Sequence, residues 1–185
     1  METVRIPQER IAVLIGAGGK MKRMIAKRAG VRLRVDEEGA VELTSKDPYH
    51  EFRAKDIVKA IGRGFSPEDA LRLTGDDYYL RVIDLKLIMG SEKARERQRA
   101  RIIGEKGKAK RMIEECSGAR VSVYGNTVSL IGLLDEVELA AMAIDKLLEG
   151  RSHSAVYTLL QKGRHKMKEE RIAHMWEPAP RESND

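Results

Sequence analysis

One cysteine, one tryptophan, two phenylalanines and two asparagines are all that the 185 residues contain of these types. The single thiol, Cys116, excludes an intramolecular disulfide framework and a cysteine-built zinc cage. No apolar stretch approaches the roughly 18 residues of a membrane span, because Lys, Arg, Asp or Glu interrupts each one. The opening Met1-Glu-Thr-Val-Arg-Ile-Pro7 has no apolar core of the kind a secretory leader needs. A soluble, cytoplasmic protein with no membrane partner is the expectation. Few Asn and Gln beside 35% charged residues resemble a hyperthermophile's composition, which speaks to source and not to function. What is present suffices for a core: 42% of residues are apolar, which excludes a wholly disordered chain, and the length suits one ordinary domain or two small ones.

Catalytic patterns are missing as well. Lys20 is followed by Met21 and Lys108 by Ala109 where a magnesium-holding phosphate loop wants Ser or Thr, and Leu14 stands where its upstream glycine belongs. His50, His153, His165 and His174 are scattered without metal-ligand spacing. Cys116 has no evident base partner and reads as a packing residue at a helix end. The carboxylates of Asp36-Glu37-Glu38 and Asp76-Asp77 fall on turns and read as solvated. The expectation is a protein that is not an enzyme, with no catalytic residue, metal or cofactor.

Charge is uneven along the chain. Lys and Arg number 35 against 29 acids, a net of +6. Residues 15–34 hold seven basic side chains and no acid, and residues 90–111 hold nine against Glu92, Glu96 and Glu105. Either run alone reads equally well as a solvated helix face. Their positions within an internal repeat favour a nucleic-acid surface.

That repeat organises the chain. At an offset of 88 residues, 15–35 matches 103–123 at 11 of 21 positions, centred on Ile15-Gly-Ala-Gly-Gly-Lys20 and Ile103-Gly-Glu-Lys-Gly-Lys108. Each copy opens with a short strand (Val4–Ile6; Tyr79–Ile83). A helical stretch then ends at the glycine turn, strongly basic in the second copy through Lys93, Arg95, Arg97, Arg99 and Arg101. A second helix follows (Lys20–Lys27; Lys108–Glu115), stopped by Gly30 or Gly118. Val31–Val35 and Ala119–Val123 alternate with period two, as half-buried strands do. A turn leads to a third strand (Val41–Leu43; Val128–Leu130). Asp47-Pro48 starts the last helix of copy one, with Phe52, Ile57 and Ile61 expected inward. The last helix of copy two places Val137, Ala141, Ile144 and Leu148 inward. Ser66-Pro67-Glu68-Asp69 predicts a short ordered helix between the copies. The expected divisions are a first module at 1–64, a helical bridge at 65–77, a second module at 78–150, a C-terminal basic helix at 151–173 and a frayed tail at 174–185.

A Gly-x-x-Gly turn between two helices has a specific use. Without Cβ atoms the backbone bends tightly and a ligand backbone can approach. The free N–H groups of the following helix point at whatever docks there, a geometry suited to phosphate. Lys20, Lys22, Arg23, Lys106, Lys108, Lys110 and Arg111 add attraction. One such turn reads better as a plain helix connection; two, in the same element order, favour binding.

These residues carry a resemblance. The Ile-Gly-x-x-Gly-Lys centre within β-α-α-β-β-α is similar to the type I KH module, which implies an α+β fold of two tandem modules. Each would be a three-stranded antiparallel sheet with helices on one face, and a C-terminal helix would follow. It implies single-stranded RNA clamped at Gly16, Ala17, Gly18 and Gly19 and at Gly104, Glu105, Lys106 and Gly107. Bases would lie in an apolar groove, with Ile15, Leu14, Ile25 and Val31 as candidates in copy one and Ile103, Ile102, Ile113 and Ala119 in copy two. The tandem arrangement, the Gly-Phe-Ser-Pro-Glu-Asp-Ala-Leu bridge and Arg-Ile-Ile-Gly-Glu-Lys-Gly-Lys together resemble the archaeal branch of the Dim-two family, over about residues 4–172. That resemblance implies a small-subunit ribosomal RNA assembly or processing factor acting near the RNA 3′ end. Its implied partners are an rRNA-processing endonuclease and translation-initiation or ribosomal proteins. The first turn lacks a basic residue between its glycines, so one module could bind RNA while the other docks protein. Two further readings stay open: a KH protein of transcription or RNA turnover, and a protein-interaction scaffold whose turns bind no RNA. An RRM is excluded, because it would need aromatics on an open sheet.

Overall fold

Two three-stranded antiparallel sheets, ordered β1-β3-β2 and β4-β6-β5, divide the strands between them. The computed structural model describes residues 2–176. The first half runs β1 (Glu2–Arg5), α1 (Gln8–Ile15), a 3₁₀ turn, α2 (Lys20–Ala29), β2 (Arg32–Val35), β3 (Ala40–Thr44) and α3 (Pro48–Gly62). A bridge follows, made of α4 (Pro67–Ala70) and the 3₁₀ turn Leu71–Thr74. The second half runs β4 (Tyr78–Asp84), α5 (Leu85–Ile88), α6 (Glu92–Ile103), a 3₁₀ turn, α7 (Lys108–Ser117), β5 (Arg120–Tyr124), β6 (Thr127–Leu133), α8 (Leu134–Leu148) and α9 (His153–Trp176). The α+β order read from the repeat is observed, with the short helix α5 added between the opening strand and the basic helix of the second half.

Local signals act where the sequence puts them. The Asp47 carboxylate accepts the Tyr49 N–H at 2.9 Å, capping α3, and Ser66 Oγ accepts the Asp69 N–H at 3.1 Å, capping α4. Each sheet packs one face on its own helices. In the first half Val41 and Leu43 of β3 meet Leu14, Ile25, Ile57 and Ile61. In the second, Val128 and Leu130 of β6 meet Ile102, Ile113, Val137 and Ile144, and Leu160 of α9 closes that core.

The two halves are fastened together. The face of the second sheet turned away from its own helices packs on the first half: Ile131 belongs to the first core, with Tyr78 and Leu80 beside it. Around this contact Arg120 Nε donates to Asp69 at 3.0 Å and Ser122 Oγ donates to the Arg63 carbonyl at 2.8 Å. The Tyr124 hydroxyl donates to Glu9, and the Arg10 guanidinium lies 5.8 Å from the Tyr124 ring centre. Arg10 is itself held by the Ile61 and Phe65 carbonyls at 2.8 and 2.6 Å.

Several expectations are corrected. Phe52 points outward, 60% exposed. The inward stripe of α3 is Ala54, Ile57, Val58 and Ile61, and at 100° per residue position 52 falls on the opposite side. The basic face of α6 is largely tied down: Glu92 pairs with Arg95 and Arg99 at 2.8 and 3.1 Å, and Arg101 donates to the Arg151 carbonyl at 2.7 Å. The last helix does not end at 173, because no Gly or Pro follows Gly163 until Pro178; residues 174–176 are helical rather than frayed. The rest of the expected tail, 177–185, lies outside the described residues. Nor are all the turn carboxylates merely solvated. Asp36 accepts the N–H groups of Glu38 and Ala40 at 2.9 and 2.8 Å, and Asp76 pairs with Arg53 at 3.0 Å.

Candidate nucleic-acid interface

Both glycine turns adopt one backbone geometry. Helix α1 stops at Gly16 (φ 68°, ψ 175°) and α6 at Gly104 (φ 73°, ψ 175°). Each glycine's N–H closes its helix, onto the carbonyls of Ala12 and Ala100 at 2.9 and 2.8 Å. The positions are sterically exclusive: a Cβ on Gly16 would stand 2.6 Å from Met21 Cβ, and one on Gly104 2.7 Å from Ala109 Cβ and N. The chain then reverses through left-handed Gly19 and Gly107 (φ 74° and 76°), whose N–H groups return to the Gly16 and Gly104 carbonyls, both at 3.1 Å. Helices α2 and α7 therefore begin with no side-chain cap: the N–H groups of Lys20 and Lys108 bond back to the Ala17 and Glu105 carbonyls, and the positive end of each helix dipole faces its turn.

The tips of the turns are exposed. Ala17 and Gly18 face solvent in one, Glu105 and Lys106 in the other, and a Cβ on Gly18 would meet nothing within 4 Å. Among the described residues Lys106 alone has positive φ without being glycine (φ 50°). Left-handed backbone costs an ordinary side chain roughly 1–2 kcal/mol, and such strain gathers at functional sites. Sequence reasoning did not anticipate this strain; the signal is that Lys106 occupies the place of Gly18.

The structure brings the expected cations around each turn. Lys20, Arg23, Lys106, Lys108 and Arg111 are exposed, and Lys22 is half-buried. None of these six makes an ion pair among the described residues, whereas Lys110 reaches Glu114 at 3.6 Å. The apolar candidates divide sharply. Ile15 is half-buried and Ile103 is 37% exposed, so both can touch a ligand. Leu14, Ile25, Ile102, Ile113 and Ala119 are completely buried and Val31 nearly so; they are core and cannot contact a base. The same stretch of apolar sequence supplies both core and surface, and burial alone separates the two.

Other chemistry is poorly provided for. Among the described residues no group of three or more His, Cys, Asp or Glu is gathered to hold a metal ion, and no helix is long and apolar enough to cross a membrane. Cys116 is buried against Met112, and burial pushes its thiol pKa up, away from nucleophilic use.

Known proteins share this arrangement. Residues 1–60 match the sequence profile of the KH domain, and residues 79–165 that of the eukaryotic-type, type I KH domain. A KH domain-containing protein of Methanocaldococcus jannaschii is 43% identical over 180 residues, covering 95% of this chain and 79% of the relative. The chain belongs to the KH-domain family. It is homologous to the pre-rRNA-processing protein pno1 of Aspergillus fumigatus, with 32% identity over 90% of this chain and 69% of the relative. Dim2p of Pyrococcus horikoshii, solved in an a/eIF2alpha–aDim2p–rRNA complex, superposes with a TM-score of 0.83 at 47% identity, covering 89% of this chain and 94% of that one.

Proposed function

We propose that this KH protein binds single-stranded RNA near the 3′ end of small-subunit ribosomal RNA and acts as a processing and assembly factor, without catalysis of its own. The observation that carries the reading is the duplicated turn: two exposed tips of matching backbone geometry, each opening a helix without a side-chain cap and ringed by cations of which only Lys110 pairs with an acid among the described residues. On this reading the RNA-holding residues are Ile15, Gly16, Ala17, Gly18, Gly19, Lys20, Lys22 and Arg23 in the first module (1–64). In the second (78–150) they are Ile103, Gly104, Glu105, Lys106, Gly107, Lys108, Lys110 and Arg111, and residues 65–77 bridge the two modules. Phosphates would sit at the N–H groups and cations, and bases against Ile15 and Ile103. The name of pno1 and the company of rRNA and a/eIF2alpha in the Pyrococcus complex support a ribosomal RNA target and a translation-initiation partner. An rRNA-processing endonuclease fits the same work, which belongs to the cytoplasm.

The test is the double variant Glu105→Asp, Lys106→Asp, assayed on an unpaired RNA from the small-subunit 3′ region. Affinity should be lost while the melting temperature stays nearly unchanged. For the wild type, log affinity should fall with log salt at about −0.7 per phosphate contact. Unaltered affinity in the variant removes the second turn from the site. Salt-insensitive binding points instead to a scaffold whose turns hold no RNA.

A further inference from the structure

In the first half the cations extend beyond the turn. Lys27 lies seven residues along α2 from Lys20, about 10 Å at 1.5 Å per residue. Where α2 ends, Lys27, Arg32, Lys46 and His50 line one open cleft of about 580 Å³, and Arg28 is exposed on α2 beside it. The acid on the cleft, Asp47, is occupied as the cap of α3. Among the described residues Lys27, Arg28, Arg32 and Lys46 make no ion pair.

The repeat supplies a control within the same molecule. At the offset of 88, Glu115 stands for Lys27 and Cys116 for Arg28. Arg120, standing for Arg32, is held by Asp69 at 3.0 Å and lies 3.9 Å from Glu114. The second half has neutralised the surface that the first half leaves charged, so this positive patch is not a by-product of the fold.

The patch is poor in what unpaired bases need. The cleft offers no Phe, Tyr or Trp face for stacking: its single ring, His50, lies against Gly30, and the ring of neighbouring Tyr49 lies under Arg53, 5.2 Å from its centre, with its hydroxyl bonded to Asp76. Unpaired bases are anchored by stacking on such faces, whereas paired RNA presents phosphates and 2′-hydroxyls to cations. The cleft also lies on the helix that begins at the first turn, so RNA held there can continue onto it.

We propose that Lys27, Arg28, Arg32, Lys46 and His50 bind the phosphate backbone of a base-paired RNA stem adjoining the single strand held at the first turn. The proposal rests on the RNA-binding reading above. Its test compares an unpaired RNA with the same RNA carrying a hairpin stem, on the full chain and on the variant Lys27→Glu, Arg28→Glu, Lys46→Glu. All three substituted side chains are solvent-exposed, so the melting temperature should hold. The stem should raise wild-type affinity about tenfold, and the variant should lose that gain while keeping strand affinity within about threefold. For the stemmed RNA the log–log salt slope should shrink by about 2–3 units, for three lost phosphate contacts. A stem that gives equal gain in both proteins, or no gain in either, overturns the cleft and leaves the turns untouched. Wild type that fails to bind the unpaired strand overturns the RNA reading itself, and the stem proposal with it. A poly-glutamate peptide that binds wild type more tightly than the stemmed RNA, and is lost in the variant, assigns the patch to an acidic protein and overturns the proposal.

Discussion

Strands β3 and β6 are the same element in two copies of one repeat, and they live in different surroundings. In β3, Val41 and Leu43 are buried while Glu42 and Thr44 face water. In β6, residues 127–132 are all buried: the side chains answering Glu42 and Thr44 are Ser129 and Ile131, both completely buried, with Ile131 inside the first half's core. The second sheet is covered on both faces and the first on one. The turns tell the opposite story: Gly16 and Gly104, and Gly19 and Gly107, differ by no more than 5° in φ. Duplication has kept the backbone of the turns and rewritten the parts where the copies meet each other.

This contrast can be broken by measurement. Ile131→Ala should cost about 3 kcal/mol of unfolding free energy, as for a completely buried isoleucine, while Thr44→Ala should change it by less than about 0.5 kcal/mol. Comparable losses by urea titration would mean the two sheets are equally covered. Next in size, Glu105→Asp with Lys106→Asp should weaken RNA binding about 100-fold, or ~2.7 kcal/mol. The corresponding Ala17→Asp with Gly18→Asp should weaken it only about tenfold, since no cation is removed; the reverse order would make the first turn the principal grip. Lys106→Gly relieves left-handed strain, offset by the entropy of an added glycine, and should stabilise the fold by about 0.5–1 kcal/mol while lowering RNA affinity. A loss of stability there would remove the strain argument. The smallest effect concerns the seam between the halves. Donation to Glu9 raises the Tyr124 pKa above its ordinary value of 10.0. The folded state thus holds that proton more tightly than the unfolded chain, and the contribution is complete below pH 10 and lost as pH climbs through the raised value. The stability gap between wild type and Tyr124→Phe should therefore narrow in alkaline solution; a gap unchanged with pH would exclude the Glu9 contact.

Much of this was legible in the sequence because it depends on local order. The repeat, both turns, the strands and the caps at Asp47 and Ser66 follow from spacing and from residues acting on near neighbours. Failures occur where a distant surface decides. Leu14 and Ile15 are adjacent and both apolar, and nothing local says that one is core and the other reaches the surface. Phe52 is a different failure, a local one: its helical angle to Ala54 and Ile57, already given by spacing, puts it outside. Arg99 reads as a free cation beside the second turn; in the structure it grips Asn126 at 2.7 Å and Glu92 at 3.1 Å. The burial of Ile131 could have been suspected from Val128-Ser-Leu-Ile131, where the in–out alternation ends on a second apolar residue. Only the packed halves reveal what covers it.

The bridge of α4 and its 3₁₀ turn, together with Arg120 on Asp69 and Ser122 on the Arg63 carbonyl, ties the two turns into one packed body. On the proposed reading, with one strand held at both turns, such a molecule acts as a caliper: it measures the length of strand between two holds, and a nucleotide inserted or deleted there must be absorbed by looping or stretching of the RNA alone.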